Sequence, residues 1–256
     1  MSILFSGDFH ASSSGEISSI TKITLKKRYR SEKYSRINYH IILGDGGFMW
    51  QGNFVHDMLN NETLRQREFP VLCVIGNHEP ILGMNNLSES EIDIGIGEKV
   101  LLAYDKPFIA YLKRGKVYNI DGFKFLVLGG ALSIDKNNRT PGLTWWEEEY
   151  WSEKEKKTLF KLFEKENEFD CVLSHTGTDS VNKIILNSIN KLPWIIDEVA
   201  LLNEEICKKI KFKEWFCGHL HMDKYYFDAE NKRGFQYLYR ETRILEKVDN
   251  KILVYK

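Results

Sequence analysis

The chain has 256 residues, of which 43% are hydrophobic and 28% are charged, as in an ordinary globular protein with a sizeable core. Its 36 Lys and Arg residues balance 36 Asp and Glu residues, so the formal net charge is zero. A neutral chain has no global field that would attract long nucleic acid or an anionic membrane surface.

The cysteines and the apolar runs bear on the compartment. The N-terminus lacks the basic and apolar segments of a signal peptide, and no apolar run reaches the ~20 residues of a membrane helix. The four cysteines form no Cys-x-x-Cys pair, which predicts reduced, structural thiols at Cys73, Cys171, Cys207 and Cys217. We therefore expect a cytoplasmic protein that has no membrane partner.

Short apolar segments in the N-terminal third predict buried strands at residues 2–5, 39–43 and 69–75. Residues 17–34 predict a basic surface helix or excursion, and residues 53–67 predict a helix. Residues 81–102 show no clear period and predict a long irregular connection, which often carries function. A turn with polar side chains follows each strand: Gly7-Asp8-Phe9-His10, Gly44-Asp45-Gly46-Gly47 and Gly76-Asn77-His78-Glu79.

The middle of the chain is rich in β-forming residues. The segments 107–112, 116–120 and 123–128 are separated by Lys113-Arg114-Gly115 and by Asp121-Gly122, and both breaks are hairpin signals that predict a meander. A helix is predicted at 152–167, where Ser152 is a suitable N-cap and Glu155 follows three residues later.

The C-terminal third predicts strands at 169–173 and 214–217 and a helix at 197–210. Further β segments are predicted at 225–228, 234–240 and 251–255. The chain has no internal repeat, low-complexity tract or flexible linker, so we predict a single domain over residues 1–256. The two strands end in turns that contain histidines: Ser174-His175-Thr176-Gly177 and Gly218-His219-Leu220-His221.

Five predicted strands thus end in side chains that can bind metal. Ligands of open α/β sheets bind at the carboxyl ends of the strands, so these side chains could converge on one crevice. A set of seven exceeds one open metal site and fits two ions that share a carboxylate, for which Asp45 is the candidate. Imidazoles with few carboxylates favour Mn, Fe, Zn, Co or Ni. The seven candidate ligands are Asp8, His10, Asp45, Asn77, His175, His219 and His221.

Charge indicates what such a site binds. Two divalent ions bring four positive charges, and the carboxylates of Asp8 and Asp45 return two negative ones. A cationic site with two ions suits a phosphate oxyanion and activates water for its hydrolysis. His78, beside the ligand Asn77, is the candidate proton donor. Glu79 is interpreted as a local hydrogen-bond partner.

The order of these motifs resembles the calcineurin-like metallophosphoesterase superfamily, and the resemblance spans nearly the whole chain. It implies a four-layer α/β/β/α sandwich of two mixed sheets, with a dinuclear site, Mn first among the metals, at the strand ends. It also implies that Asp8, His10, Asp45 and His221 hold one ion, and that Asp45, Asn77, His175 and His219 hold the other. His78 would protonate the leaving group, and a hydroxide between the ions would attack without a covalent intermediate.

A motif in the middle of the chain makes the resemblance more specific, and one difference from the family pattern limits it. Residues 129–136 with Arg139, Trp145, Trp146 and Glu149 resemble small single-domain phosphoesterases of bacteria and phages. Protein serine/threonine phosphatases of the superfamily carry Gly-Asp-x-x-Asp-Arg-Gly, whereas here Phe48 stands at the second Asp position and no Arg follows. The usual partner of His78 and a usual phosphate clamp are therefore missing, which disfavours a protein phosphatase.

Several residues keep two interpretations. Arg139 and Lys136 could bind substrate oxygens or form surface ion pairs. Trp145 and Trp146 could stack a nucleobase or anchor a loop on the core. The acidic run at 147–149 predicts a solvated helix start, and the basic run at 22–33 predicts a solvated face.

The predicted function is hydrolysis of a small or accessible phosphate ester. One alternative is a phosphodiesterase or nuclease acting on cyclic nucleotides, dinucleotides or nucleic-acid ends. Another is a non-catalytic binding scaffold on the same fold, for which loss of ligands would be the expected mark in the sequence.

Overall fold

A computed structural model of the chain describes residues 2–8, 37–50, 53–54, 69–79, 90–106, 108–190, 195–249 and 251–256. The predicted helix at 17–34 and most of the one at 53–67 lie outside these ranges. The described strands are β1 Ser2–Ser6, β2 Ile37–Ile42, β3 Met49–Trp50, β4 Asn53–Phe54, β5 Val71–Cys73, β6 Glu91–Ile92, β7 Val100–Tyr104, β8 Ile109–Tyr111, β9 Lys116–Ile120, β10 Phe123–Val127, β11 Cys171–Leu173, β12 Glu214–Cys217, β13 Lys224–Asp228, β14 Arg233–Tyr237, β15 Arg243–Val248 and β16 Lys251–Tyr255.

The strands form two mixed sheets. The first has eight strands in the order β16-β15-β1-β2-β5-β8-β7-β6, with β1, β2, β5 and β8 parallel at its centre. The second has six strands in the order β13-β14-β12-β11-β10-β9, with β10, β11, β12 and β14 parallel. Strands β3 and β4 form a small antiparallel pair. This arrangement confirms the predicted α/β class with two mixed sheets.

The two large sheets pack face to face. Every second residue of the central strands enters the layer between them, as the alternation of side chains along a strand requires. At the centre, the rings of Phe5 on β1 and Phe216 on β12 stack with their centroids 4.3 Å apart. Because this layer joins the two sheets, it fixes the position of their strand ends relative to each other.

Three α-helices lie within the described ranges: α1 Glu153–Phe163, α2 Asp179–Asn187 and α3 Glu198–Cys207. Their apolar faces cover the outer face of the six-stranded sheet, where Trp215 is fully buried. The predicted cap of α1 is confirmed, since Ser152 and Glu155 form a reciprocal capping box. None of the described helices combines the length and apolarity needed to cross a bilayer.

The predicted meander at 107–128 is wrong in its first turn. Strand β8 is hydrogen-bonded on both sides, to β5 and to β7, so it has no free edge for the next strand. The chain therefore crosses at residues 113–115 to the other sheet, where β9 pairs with β10. The Asp121-Gly122 hairpin is confirmed, with φ of 54° and 78° at its two turn residues.

Other differences come from short elements whose pattern is weak. The connection at 81–102, predicted to be irregular, contains β6 and the first part of β7. Residues 53–54, predicted to begin a helix, form β4, and α2 and β15 were not predicted. The four cysteines are free and buried, as predicted.

Candidate metal centre

Five of the parallel central strands end beside one another and carry the predicted ligands. β1, β2 and β5 are neighbours in one sheet, and β11 and β12 are neighbours in the other. The packing of the two sheets brings these carboxyl ends to a common edge. The side chains that follow them are Asp8 after β1, Asp45 after β2, Asn77 after β5, His175 after β11, and His219 and His221 after β12.

Four of these side chains meet around His175 Nε2. This atom lies 3.0 Å from Asn77 Oδ1, 3.3 Å from Asp45 Oδ2 and 3.9 Å from Asp8 Oδ1. Ligand atoms of Asp8, Asp45 and His175 lie within 4.8 Å of one another, and all three residues are buried. A cluster of two carboxylates, an amide oxygen and an imidazole at this spacing fits a divalent transition metal.

The remaining predicted histidines lie at the border of the cluster. His221 Nε2 is 3.8 Å from Asp8 Oδ1, and its exposed ring stacks on Tyr239 at a centroid distance of 4.7 Å. The ring centroid of His219 is 5.0 Å from that of His175. Burial and the neighbouring His175 lower the pKa of His219 to about 3, so its imidazole is neutral, the form that binds metal. His10 lies outside the described residues.

A backbone contact orients His175. Its Nδ1 donates a hydrogen bond of 2.8 Å to the carbonyl of Leu43, which can only accept. The proton of a neutral imidazole is thereby held on Nδ1, and the opposite nitrogen, Nε2, faces Asp8 and Asp45. Metal-binding histidines are typically held in this way by a hydrogen bond from the other ring nitrogen.

The turns that carry the candidate ligands have unusual backbone conformations. Asp8, Asp45, His219 and His221 have φ of 38°, 49°, 65° and 51°, in the left-handed region that non-glycine residues rarely adopt. Such conformations persist where the surroundings enforce them, and they concentrate at functional sites. A Cβ at Gly44, whose φ is +83°, would lie 2.2 Å from the ring of His175. Only glycine allows the turn to approach that ring so closely.

Glu79 joins two of these turns. Its buried carboxylate accepts hydrogen bonds from the backbone amides of Gly46 and Gly76, and the hydroxyl of Tyr111 lies 3.3 Å away. Burial and the nearby Asp45 raise the pKa of Glu79 to about 7. Glu79 thus links the turns after β2 and β5 by hydrogen bonds, in agreement with its predicted role as a local hydrogen-bond partner.

The cluster favours an added positive charge. Burial raises the pKa of Asp8 to about 8. Burial lowers the pKa of His175, but Asp45 and Asp8 outweigh it and raise that pKa to about 10. In both cases the buried negative charge is relieved by binding protons. A divalent cation would supply the same compensation and displace those protons.

His78 contacts Arg139 in place of the missing carboxylate. Nη1 of Arg139 lies 3.0 Å from His78 Nδ1 and Nη2 lies 3.1 Å from His78 Nε2. The same guanidinium pairs with Asp135 at 2.7 Å through Nε and donates to the carbonyl of Thr144. His78 Nε2 is 3.7 Å from Asp45 Oδ2, so the imidazole lies between the guanidinium and the cluster. Phe48 is fully buried in the apolar core, and its side chain has no polar atom that could take the place of the carboxylate.

The prediction of a solvated acidic run at 147–149 is wrong for Glu149, which is only 2% exposed. Its carboxylate accepts hydrogen bonds from the hydroxyl and the backbone amide of Ser133, at 2.6 and 3.2 Å. The Ser133 hydroxyl in turn accepts one from Asn77 Nδ2 at 2.9 Å. Ser133 was not singled out from the sequence, because nothing local to it signals a contact with Asn77, 56 residues away.

Lys136 and the tryptophans pack together. The ammonium group of Lys136 lies over the Trp145 ring at 4.1 Å and near Tyr150 at 5.2 Å. Trp146 is buried, as its interpretation as a loop anchor requires. The contacts of Lys136 are thus with aromatic rings, whereas Arg139 reaches the cluster through His78.

Comparisons with known proteins identify the family and the fold. The model of the calcineurin-like phosphoesterase family, whose members typically bind metal ions, matches residues 1–223. The solved structure of phosphopantetheinyl hydrolase (PptH) from Mycobacterium tuberculosis has a TM-score of 0.53 at 12% identity, covering 93% of this chain and 90% of that one. GAP50, the anchor in the inner membrane complex of Plasmodium, has a TM-score of 0.54 at 11% identity, covering 99% and 83%. These likenesses show a shared fold. No curated protein sequence matches the chain.

Proposed function

The chain belongs to the calcineurin-like phosphoesterase family, and from this premise we propose that it is a dinuclear metal-dependent hydrolase of small phosphate esters. The observation that carries the proposal is the meeting of Asp8, Asp45, Asn77 and His175 at one buried point. A chain selected only for a stable core would gain nothing from collecting two carboxylates there, since two buried carboxylates are costly to desolvate and repel each other.

We assign the ligands to two ions that share Asp45. Asp8, His10, Asp45 and His221 would hold one ion, and Asp45, Asn77, His175 and His219 would hold the other. When bound, two such ions neutralise phosphate oxygens and make a water molecule more acidic. The donor set suits Mn, Fe, Zn, Co or Ni, and manganese is the first candidate because the family resemblance places it first.

Arg139 and His78 would act on the phosphate ester itself. A guanidinium only donates hydrogen bonds, so an imidazole nitrogen that accepts from Arg139 cannot carry a proton. A phosphate oxygen is a better acceptor for Arg139, and it would draw the guanidinium away from His78. His78 would then be free to hold the proton that it gives to the leaving oxygen. Arg139 would thereby supply the phosphate clamp that is missing after Phe48.

The direct test measures metal content and turnover together. Protein loaded with Mn should contain two ions by mass spectrometry and hydrolyse p-nitrophenyl phosphate or its bis ester. Asp45→Asn should lose metal and activity. The proposal is refuted if the protein binds both ions and hydrolyses neither ester.

The roles of Arg139 and His78 are separated by the leaving group. Arg139→Ala should lower kcat/KM about 10- to 100-fold for every ester, because it removes a charged hydrogen bond. His78→Ala should lower kcat about 100-fold or more for an alkyl phosphate but much less for p-nitrophenyl phosphate, whose leaving group needs no proton. Lys136→Ala is the comparison, since its ammonium group contacts aromatic rings. Equal losses on both esters for His78→Ala would contradict its role as an acid.

The same assays decide between the alternatives. A preference for the bis ester, extended to cyclic nucleotides and single-stranded oligonucleotides, would indicate a phosphodiesterase or nuclease. The name of GAP50 shows that a protein of this fold can be described as an anchor. If the wild-type protein neither binds metal nor hydrolyses any of these esters, a scaffold role of this kind is favoured.

The free, buried thiols suit a reducing compartment such as the cytoplasm, where we place the activity.

A further inference from the structure

A buried chain of three side chains leads from the centre to the loop before α1. Asn77 Nδ2 donates to Ser133 Oγ at 2.9 Å, and Ser133 Oγ donates to Glu149 Oε2 at 2.6 Å. The three residues are 2–3% exposed. Asn77 lies after β5 of the eight-stranded sheet, whereas Ser133 and Glu149 lie after β10, so the contact also links the two sheets.

The direction of these hydrogen bonds follows from the chemistry of the groups. An ionised carboxylate only accepts, and Glu149 already accepts from the backbone amide of Ser133 at 3.2 Å. The single proton of the Ser133 hydroxyl is therefore committed to Glu149. What Ser133 presents to Asn77 is a lone pair, and only the NH₂ group of the amide can donate to it.

An asparagine amide has two nearly identical ends, and the wrong end does not bind metal. With Nδ2 held by Ser133, Oδ1 faces the cluster, 3.0 Å from His175 Nε2. A flipped amide would present an NH₂ group, which donates hydrogen bonds and repels a cation. Mutation of the outer residues that fix the orientation of a metal ligand typically lowers metal affinity 10- to 100-fold.

We propose that Ser133 and Glu149 are positioning residues that lock the amide of Asn77 with its oxygen toward the metal centre. The inference rests on the proposed function, because it assumes that Asn77 is a ligand. It extends the metal centre to residues beyond the ligands and accounts for a buried carboxylate that no step of the hydrolysis uses.

The test is metal titration of the apo-protein by calorimetry. Wild type should bind two Mn ions. Ser133→Ala should bind one ion as wild type does and the other, the ion assigned to Asn77, about 10- to 100-fold more weakly. Glu149→Gln should have the same effect, because its amide can donate to Ser133, whose own proton then turns to Asn77 and favours the flipped amide. Thermal melting checks that each variant is folded.

Ser2→Ala is the matched control. Ser2 is 1% exposed and donates to the carboxylate of Glu246 at 2.6 Å, so Ser2→Ala also loses a serine-to-carboxylate hydrogen bond of the same length, here a partly buried one. It lies at the opposite end of β1 from Asp8, about 20 Å away at 3.3 Å per residue. It should bind both ions as wild type does.

The outcomes are distinct. If either folded variant, Ser133→Ala or Glu149→Gln, binds both ions as tightly as Ser2→Ala, the positioning role is wrong and the dinuclear site stands. If wild type binds fewer than two ions, the proposed dinuclear site itself is wrong, and the role of Ser133 is wrong with it.

Discussion

Replacing Gly44 with alanine tests how tightly the turns of the centre are packed. The added Cβ would lie 2.2 Å from Nδ1 and 2.5 Å from Cγ of His175, far inside van der Waals contact. The ring is fully buried and bonded to the Leu43 carbonyl, so it cannot move without losing that hydrogen bond. The substitution must therefore displace either His175 or the turn after β2.

The cost has two separable parts. Alanine at φ +83° costs about 1 kcal/mol for the left-handed backbone, and overpacking costs about 1–3 kcal/mol more. Gly122→Ala isolates the first part, because Gly122 has φ +78° and no atom within 4 Å of an added Cβ. We expect a loss of about 2–4 kcal/mol for Gly44→Ala and about 1 kcal/mol for Gly122→Ala.

Urea unfolding of the two metal-free variants measures both losses directly. Calorimetric titration with Mn then gives the effect on the centre. We expect weaker metal binding in Gly44→Ala, because His175 is displaced, and unchanged binding in Gly122→Ala. If the two variants lost equal stability and bound metal equally, the argument that the ring of His175 needs a glycine opposite it would be refuted.

Three further predictions concern stability. Phe216→Ala should cost about 3–5 kcal/mol in urea unfolding, because it empties the stack with Phe5 between the sheets, whereas Phe227→Ala, 51% exposed, should cost at most about 0.5 kcal/mol. Ser152→Ala should cost about 1 kcal/mol, since it removes the cap of α1; no loss would contradict the capping box. Burial raises the pKa of Glu214 from 4.5 to about 7, so the folded state binds this proton more tightly and stability falls as pH rises between those values. Glu214→Gln should therefore be more stable than wild type at pH 8, by at most about 3 kcal/mol, and a stability difference that does not change between pH 4 and pH 8 would contradict this.

The sequence alone determined the local parts of the fold. Apolar runs predicted β1, β2, β5, β11 and β12, because a strand buried on both faces has a continuous apolar sequence. The cap of α1 and the Asp121-Gly122 turn were also predicted correctly, since each depends only on residues a few positions apart in the sequence. The ligand candidates were found because each follows such a strand, and the order of their motifs indicated the family. The single domain over 1–256 stays a prediction.

Tertiary structure decided what depends on distant residues. Strand β9 does not pair with β8, because β7 is hydrogen-bonded to the edge of β8 that β9 would need. No local sequence pattern shows this pairing. Arg139 meets His78 across 61 residues, and Ser133 meets Asn77 across 56. A run of three glutamates looks solvated in the sequence, yet Glu149 is buried. Burial raises the pKa of its carboxyl group, and the two hydrogen bonds from Ser133 offset part of the desolvation. The strand ends thus predict the candidate ligands from sequence, whereas the contacts of those side chains with distant residues are set only when the two sheets pack together.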